Sequence, residues 1–212
     1  MRLGDNCLAE TTAAKFAIFV NQKFKVMANT PSNMLPLGTT APSFELPEPT
    51  VGDKLRKLED LKGKKGTLVI FMCNHCPFVL HVIDKLQELY EDYKDRGIAF
   101  IGINANDPEA YPDDSPEKMQ EFVKEKSVTF PYLFDESQQV AKDYDAACTP
   151  DFYFFDKDLK LVYRGQMDDS RPGNQKEVTG EDLIIAFENL LADQPQEEIQ
   201  KPSLGCNIKW KG

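Results

Sequence analysis

No stretch of the chain approaches the ~18 uninterrupted apolar residues that a membrane span requires, and its 25 Lys and Arg are outnumbered by 35 Asp and Glu. The formal charge of -10 repels phosphate backbones and anionic lipid, and no Lys/Arg cluster offsets it. Neither nucleic acid nor a membrane is expected as a partner. The marks of a secretory leader are missing as well. Asp5 and Glu10 stand where basic residues belong, Lys15 interrupts the apolar run from Ala13 to Val20, and no small-x-small cleavage site follows. A soluble, cytoplasmic protein is the expectation. No internal repeat is present.

Cysteine is scarce and odd in number, five in 212 residues, and a chain this long with no leader does not need a disulfide framework to fold. In a reducing compartment a close pair then points to catalysis or to metal. Cys73 and Cys76 form such a pair, whereas Cys7, Cys148 and Cys206 are scattered. A zinc ribbon wants a second close pair, so the spacing favours redox chemistry, and no metal or other cofactor is expected.

The length suits one domain with appendages, and 41% hydrophobic residues including 14 Phe and 7 Tyr suffice for one core. Residues 1–36 read as an N-terminal arm, disordered or a short helix, residues 37–192 as the domain and 193–212 as a polar C-terminal tail. Gly66 to Met72 is a nearly continuous apolar run, the pattern of a central strand buried on both faces. Behind Pro77, Val79, Val82, Ile83, Leu86, Leu89, Tyr90 and Tyr93 recur at helical spacing up to Gly97, and Ile98 to Ile103 reads as a second buried strand. Ser115 and Pro116 open a helix to about Lys126 in what reads as a surface insertion. Phe130–Phe134, a short helix near residues 137–144, the aromatic strand Asp151–Phe155 and its hairpin partner Leu159–Arg164 follow. A last helix, capped by Thr179, carries Leu183, Ile184, Phe187, Leu190 and Leu191. The result is an α/β domain with a layered sheet. The late Trp210 is expected to dock on it.

In Cys73-Asn74-His75-Cys76-Pro77 both sulfurs fall at the start of a long helix. Its unpaired N–H groups and dipole favour a thiolate and lower the pKa into the reactive range. Cys73 is expected to be the nucleophile, at the edge where a partner's disulfide reaches it. Cys76 is expected to point inward and resolve the mixed disulfide. His75, between the cysteines, has the chemistry to stabilise a neighbouring thiolate, or is a solvated residue. His81 lies about one and a half turns on, rotated away from Cys76, with no catalytic role expected.

From Leu37 to Leu191 the chain resembles the thioredoxin-like superfamily, within it the redoxins of the AhpC/TSA and TlpA type and a peroxiredoxin-like group among them. Besides the cysteine pair, the resemblance rests on Gly38-Thr39-Thr40-Ala41-Pro42-Ser43-Phe44-Glu45-Leu46, on Leu58-Glu59-Asp60-Leu61-Lys62-Gly63-Lys64 and on Cys148-Thr149-Pro150 before a strand. It implies a thioredoxin fold, with a central mixed sheet flanked by helices and an N-terminal redoxin extension. It also implies a cis-proline loop facing the cysteines, in which the Thr149 backbone pairs with a substrate peptide while Pro150 keeps the surface close to sulfur. The activity implied is thiol-disulfide exchange with a protein disulfide or thiol and a thiol electron donor. Oligomeric state is not readable. The chain departs from its relatives where Met72 replaces the thioredoxin Trp, Thr67 replaces a buried carboxylate, and Ile70 stands where peroxiredoxins carry Thr or Ser.

Two alternatives stay open. An antioxidant peroxidase would use a Cys73 sulfenic acid resolved by Cys76 or Cys206, with Arg164 or Arg171 near the peroxide. A metal-binding protein would use Cys73, Cys76 and Cys148, with His75 as a fourth ligand. Cys148 reads equally as a buried inert thiol. Cys206 has a role as a resolving thiol if the tail folds over the site, and Cys7 has none.

Overall fold

The computed structural model describes residues 29–212; the leader-like segment and Cys7 lie outside the described residues. In chain order the strands are β1 (Thr30–Pro31), β2 (Glu45–Glu48), β3 (Lys54–Lys57), β4 (Gly66–Phe71), β5 (Ile98–Asn104), β6 (Tyr132–Phe134), β7 (Cys148–Thr149), β8 (Asp151–Asp156), β9 (Leu161–Gly165) and β10 (Leu204–Asn207). The α-helices are α1 (Leu58–Leu61), α2 (Pro77–Tyr93), α3 (Pro116–Lys126), α4 (Gln139–Asp143) and α5 (Glu181–Leu191). None of the described helices is long and apolar enough to cross a membrane.

Five strands make the central sheet in the order β6-β5-β4-β8-β9. β4, β5 and β6 run parallel, and β8 and β9 return antiparallel. The sheet is therefore mixed. β4 holds its centre because every residue in it is buried, and successive side chains feed opposite faces. Leu68 and Ile70 enter one core with Val82, Ile83, Leu86 and Tyr93 of α2 and Phe187 of α5. Val69 and Phe71 enter the other with Phe44, Leu58, Tyr144 and Phe155. Aromatic edges fill both layers: Phe154 and Phe187 meet at 4.8 Å between centroids, and Phe71 meets Tyr144 at 5.5 Å.

The local signals act as read, with small shifts at the ends. Ser115 accepts from the Lys118 N–H at 3.4 Å with Pro116 at the first helical position of α3. Gly97 ends the turn after α2 at φ 92°, where a residue with a Cβ is strained. Thr179 is one residue off, since the N-cap of α5 is Gly180, while the Thr179 hydroxyl accepts from the Glu181 N–H at 3.3 Å.

The tail differs most from expectation. β10 is the middle strand of a small sheet, antiparallel to β1 on one side and to β7 on the other. Ile208 is buried in the second core, and Lys209 accepts the Asp107 N–H through its carbonyl at 2.9 Å. Trp210 stays largely exposed, with the Lys142 ammonium 5.8 Å from its ring centre. The tail residue that docks is Ile208, buried in the second core, while the indole is left at the rim.

Candidate active site

β4 ends two residues before Cys73, and α2 begins directly after Cys76, which is its N-cap with Pro77 at the first helical position. The four-residue link is clamped by the segment that the sequence suggests is a surface insertion. The Asn74 N–H donates to Asp114 Oδ1 at 2.9 Å, the Asn74 amide donates to the Asp113 carbonyl at 2.9 Å, and the Tyr132 hydroxyl donates to Asn74 Oδ1 at 3.0 Å. His75 Nδ1 lies 2.8 Å from Asp114 Oδ2, and the imidazole stacks on Tyr111 at 6.0 Å.

Thr149 meets both sulfurs. Its Oγ1 is 3.4 Å from Cys73 Sγ, and its carbonyl accepts from the Cys76 thiol at 3.2 Å. The Thr149–Pro150 peptide is cis, and Pro150 lines a small cavity with Phe78, His81, Met167 and Arg171. The cis-proline loop therefore faces the cysteine pair. Its free edge, however, is taken: β10 pairs with β7, Cys206 opposite Thr149 and Asn207 opposite Cys148. Where a substrate peptide was expected, the chain's own tail lies.

The electrostatics correct the expectation for Cys73. Both sulfurs are buried, Cys73 1% exposed and Cys76 0%, so Cys73 does not stand at an accessible edge. The Cys73 thiol is pushed well above its ordinary 9.0 by its hydrogen bond to Cys76, by burial and by the charge of Asp114. Cys76 is moved the other way, downward, by its pairing with Cys206 and Cys73 and by its contact with Thr149 against opposing desolvation. The sulfur at the helix end is Cys76, three residues closer to the unpaired N–H groups than Cys73, and it is the one favoured as thiolate.

Asp114 escaped the sequence reading because it comes from the loop after β5, far from the motif in the chain. It is fully buried, accepts from the Asn74 N–H and from the Asn106 amide at 2.7 Å, and pairs with His75. A buried carboxylate thus stands beside Cys73 although Thr67 replaces the one usual in thioredoxins. The hydrogen bond to Asp114 raises the His75 pKa against opposing desolvation. Asp114→Asn is expected to return it toward 6.5, and proton NMR of the imidazole checks this; an unchanged titration breaks the assignment. Since the folded-state value is the raised one, the stability from this pair is complete below the unfolded pKa and fades as pH rises through the folded value.

Among the described residues, the group whose donor atoms lie within 4.8 Å of one another is Cys73, His75 and Asp114. Cys148 is not in it, so the set of Cys73, Cys76 and Cys148 does not assemble with metal spacing. Cys148 is buried, bonded to the Pro150 carbonyl at 3.6 Å, and its thiol is pushed far up by burial and by Asp151. The arginines are engaged elsewhere. Arg171 donates to the Asp168 and Ser170 carbonyls and to Gln166 Oε1, each at 2.6 Å, and Arg164 donates to Gln200 at 2.8 Å. His81 shares a 2.7 Å hydrogen bond with Ser170.

Comparison with known proteins accords with this geometry. The chain is 29% identical over 126 residues to the thiol-disulfide oxidoreductase ResA of Bacillus cereus, covering 59% of this chain and 67% of that one. The crystal structure of an uncharacterized conserved protein from Geobacillus kaustophilus is 54% identical, with a TM-score of 0.85, 87% of this chain covered and 97% of that one. A thiol:disulfide interchange protein from Bacteroides sp., 20% identical, covers 74% of this chain and 91% of its own at a TM-score of 0.58, a likeness of fold alone. The AhpC/TSA family matches residues 37–164, and with the thioredoxin-like sheet, the cysteine pair at the strand–helix junction and the facing cis-proline loop, the chain belongs to that family.

Proposed function

We propose that the protein is a thiol-disulfide oxidoreductase that exchanges two electrons between its Cys73–Cys76 pair and a protein disulfide or dithiol, with a thiol donor completing the cycle. The observation that carries this reading is the contact of both sulfurs with Thr149 at the start of α2. Two thiols at a helix end sharing one proton are chemically poised for exchange. The dithiol itself carries the two electrons, which are given up as the Cys73–Cys76 bond forms.

With both sulfurs protonated Cys76 donates to the Thr149 carbonyl; on ionisation the charge settles on Cys76 and Cys73 keeps the proton. As Cys73 Sγ attacks a partner's disulfide, its proton passes to Cys76 and the first partner sulfur leaves as a thiolate. That thiolate takes the proton from Cys76. Cys76 then attacks Cys73 Sγ, the second partner sulfur departs, and the Cys73–Cys76 bond remains. His75, whose pKa is raised by Asp114, supplies positive charge beside Cys73 during the transfer.

A redox titration in glutathione buffers, with alkylation and mass mapping of each cysteine, tests the reading. The expected result is a reversible Cys73–Cys76 bond with a potential between roughly -270 and -120 mV. Thiols that never pair, or that stay masked until a chelator is added, overturn it; the second outcome points to a cation on Cys73, His75 and Asp114.

A further inference from the structure

The tail brings a third sulfur to the pair. Cys206 lies opposite Thr149 in the β10–β7 register, and Thr149 is the residue that touches Cys73 and Cys76. The side chain of Cys206 packs against the same core that holds them. Of the four free cysteines among the described residues, Cys73, Cys76 and Cys148 are buried and Cys206 alone is partly exposed. Gly205 makes the approach possible: a Cβ there would sit 2.1 Å from the Thr149 carbonyl oxygen, so any larger residue pushes the tail off the loop. The other flank of β10 is tied by β1, with Thr30 opposite Gly205.

From this arrangement we infer that β10 is a built-in substrate strand and that Cys206 is a redox-active thiol which carries the disulfide from the buried pair to the surface. The inference rests on the oxidoreductase reading above. In the step, Cys206 loses its proton to solvent and its thiolate attacks Cys76 Sγ of the Cys73–Cys76 disulfide. The Cys76–Cys206 bond forms, the Cys73–Cys76 bond breaks, and Cys73 leaves as a thiolate that takes up a proton. No net oxidation occurs, and the oxidising equivalents are those the partner disulfide supplied. The exposed sulfur then meets the external thiol donor more readily than a pair that is at most 1% exposed.

The electrostatics make the step depend on oxidation state. While Cys76 is a thiolate, Cys206 donates to it, and that bond with burial and the Cys76 charge holds the Cys206 proton firmly. Once Cys76 is in a disulfide, its charge and its acceptor are gone; burial still favours the thiol, Lys209 favours the thiolate, and the largest restraint on the proton has been removed. Cys206 is thereby quiet in the reduced protein and released for attack in the oxidised one.

The test uses the full chain, oxidised with glutathione disulfide, acid-quenched, alkylated, digested and mapped. In Cys73→Ser, Cys76–Cys206 is the expected intramolecular disulfide. Gly205→Ala added to that variant should cut its formation by about tenfold or more, because the tethered thiol loses its high effective concentration. Cys206→Ser, with the pair intact, should slow reduction of Cys73–Cys76 by a bulky protein thiol by about tenfold while a small thiol is less affected. A Cys73→Ser protein that shows folded circular dichroism and no Cys76–Cys206 bond overturns the relay, provided the wild type makes Cys73–Cys76 in the same buffer. A Cys73–Cys206 bond overturns it as drawn. If the wild type makes no Cys73–Cys76 bond, the oxidoreductase reading falls first and the relay with it.

Discussion

Cys73→Ser is expected to lower the rate at which the protein reduces a chromogenic aromatic disulfide by about 10³-fold or more, a loss of about 4 kcal/mol in transition-state stabilisation. Cys76→Ser is expected to leave the first attack measurable and to accumulate a mixed disulfide on Cys73. The reason lies in the division of labour between the sulfurs. Cys76 carries the charge in the resting pair because it caps α2 and accepts from Cys206, Cys73 and the Val79 N–H. Cys73 lies beside His75, which Asp114 favours in its charged form and which can compensate a proton moving away from the sulfur. Low pKa alone does not make the better nucleophile, since intrinsic reactivity falls as the thiolate is stabilised. Stopped-flow kinetics with both variants decide the matter. A Cys73→Ser protein with near wild-type attack, and a dead Cys76→Ser protein, would reverse the roles.

Stability is expected to fall by about 4 kcal/mol between about pH 4 and about pH 7 through Asp151 alone. Its carboxyl is fully buried directly after Pro150, and desolvation pushes its pKa from 3.8 up to about 7 against bonds from the Ala147 N–H and the Tyr153 hydroxyl. Oδ1 has no hydrogen-bond partner among the described residues. The folded state therefore holds a proton that the unfolded chain has already released in this interval. Stability declines as pH rises from the unfolded pKa and levels off above the folded one. Asp151→Asn keeps an acceptor for Ala147 and Tyr153 and has no proton to lose. Urea unfolding of both proteins at about pH 4 and about pH 8 should show the wild type losing stability relative to the variant. Parallel pH profiles would remove Asp151 as the source. The same charge has a local consequence, because a negative Asp151 raises the Cys148 pKa further and keeps that thiol out of exchange.

Local patterns along the chain encode the frame. The apolar run of β4, the helical spacing from Val79 to Tyr93, Ser115 with Pro116, and the aromatic β8 are local patterns whose periods encode element type and buried face. The Cys-x-x-Cys spacing and the Cys148-Thr149-Pro150 segment likewise marked the two sides of the site. Which groups converge on the sulfurs depends on long-range packing. Asp114 arrives from the loop after β5 and Cys206 from the far end of the chain, separated from Cys73 by sequence distances over which no periodicity acts. Position at the start of α2 alone does not rank the two sulfurs, so the expectation of a low pKa falls on the expected nucleophile, Cys73. A buried carboxylate and a third thiol, both long-range neighbours in a low-dielectric interior where charges act strongly, moved it to Cys76.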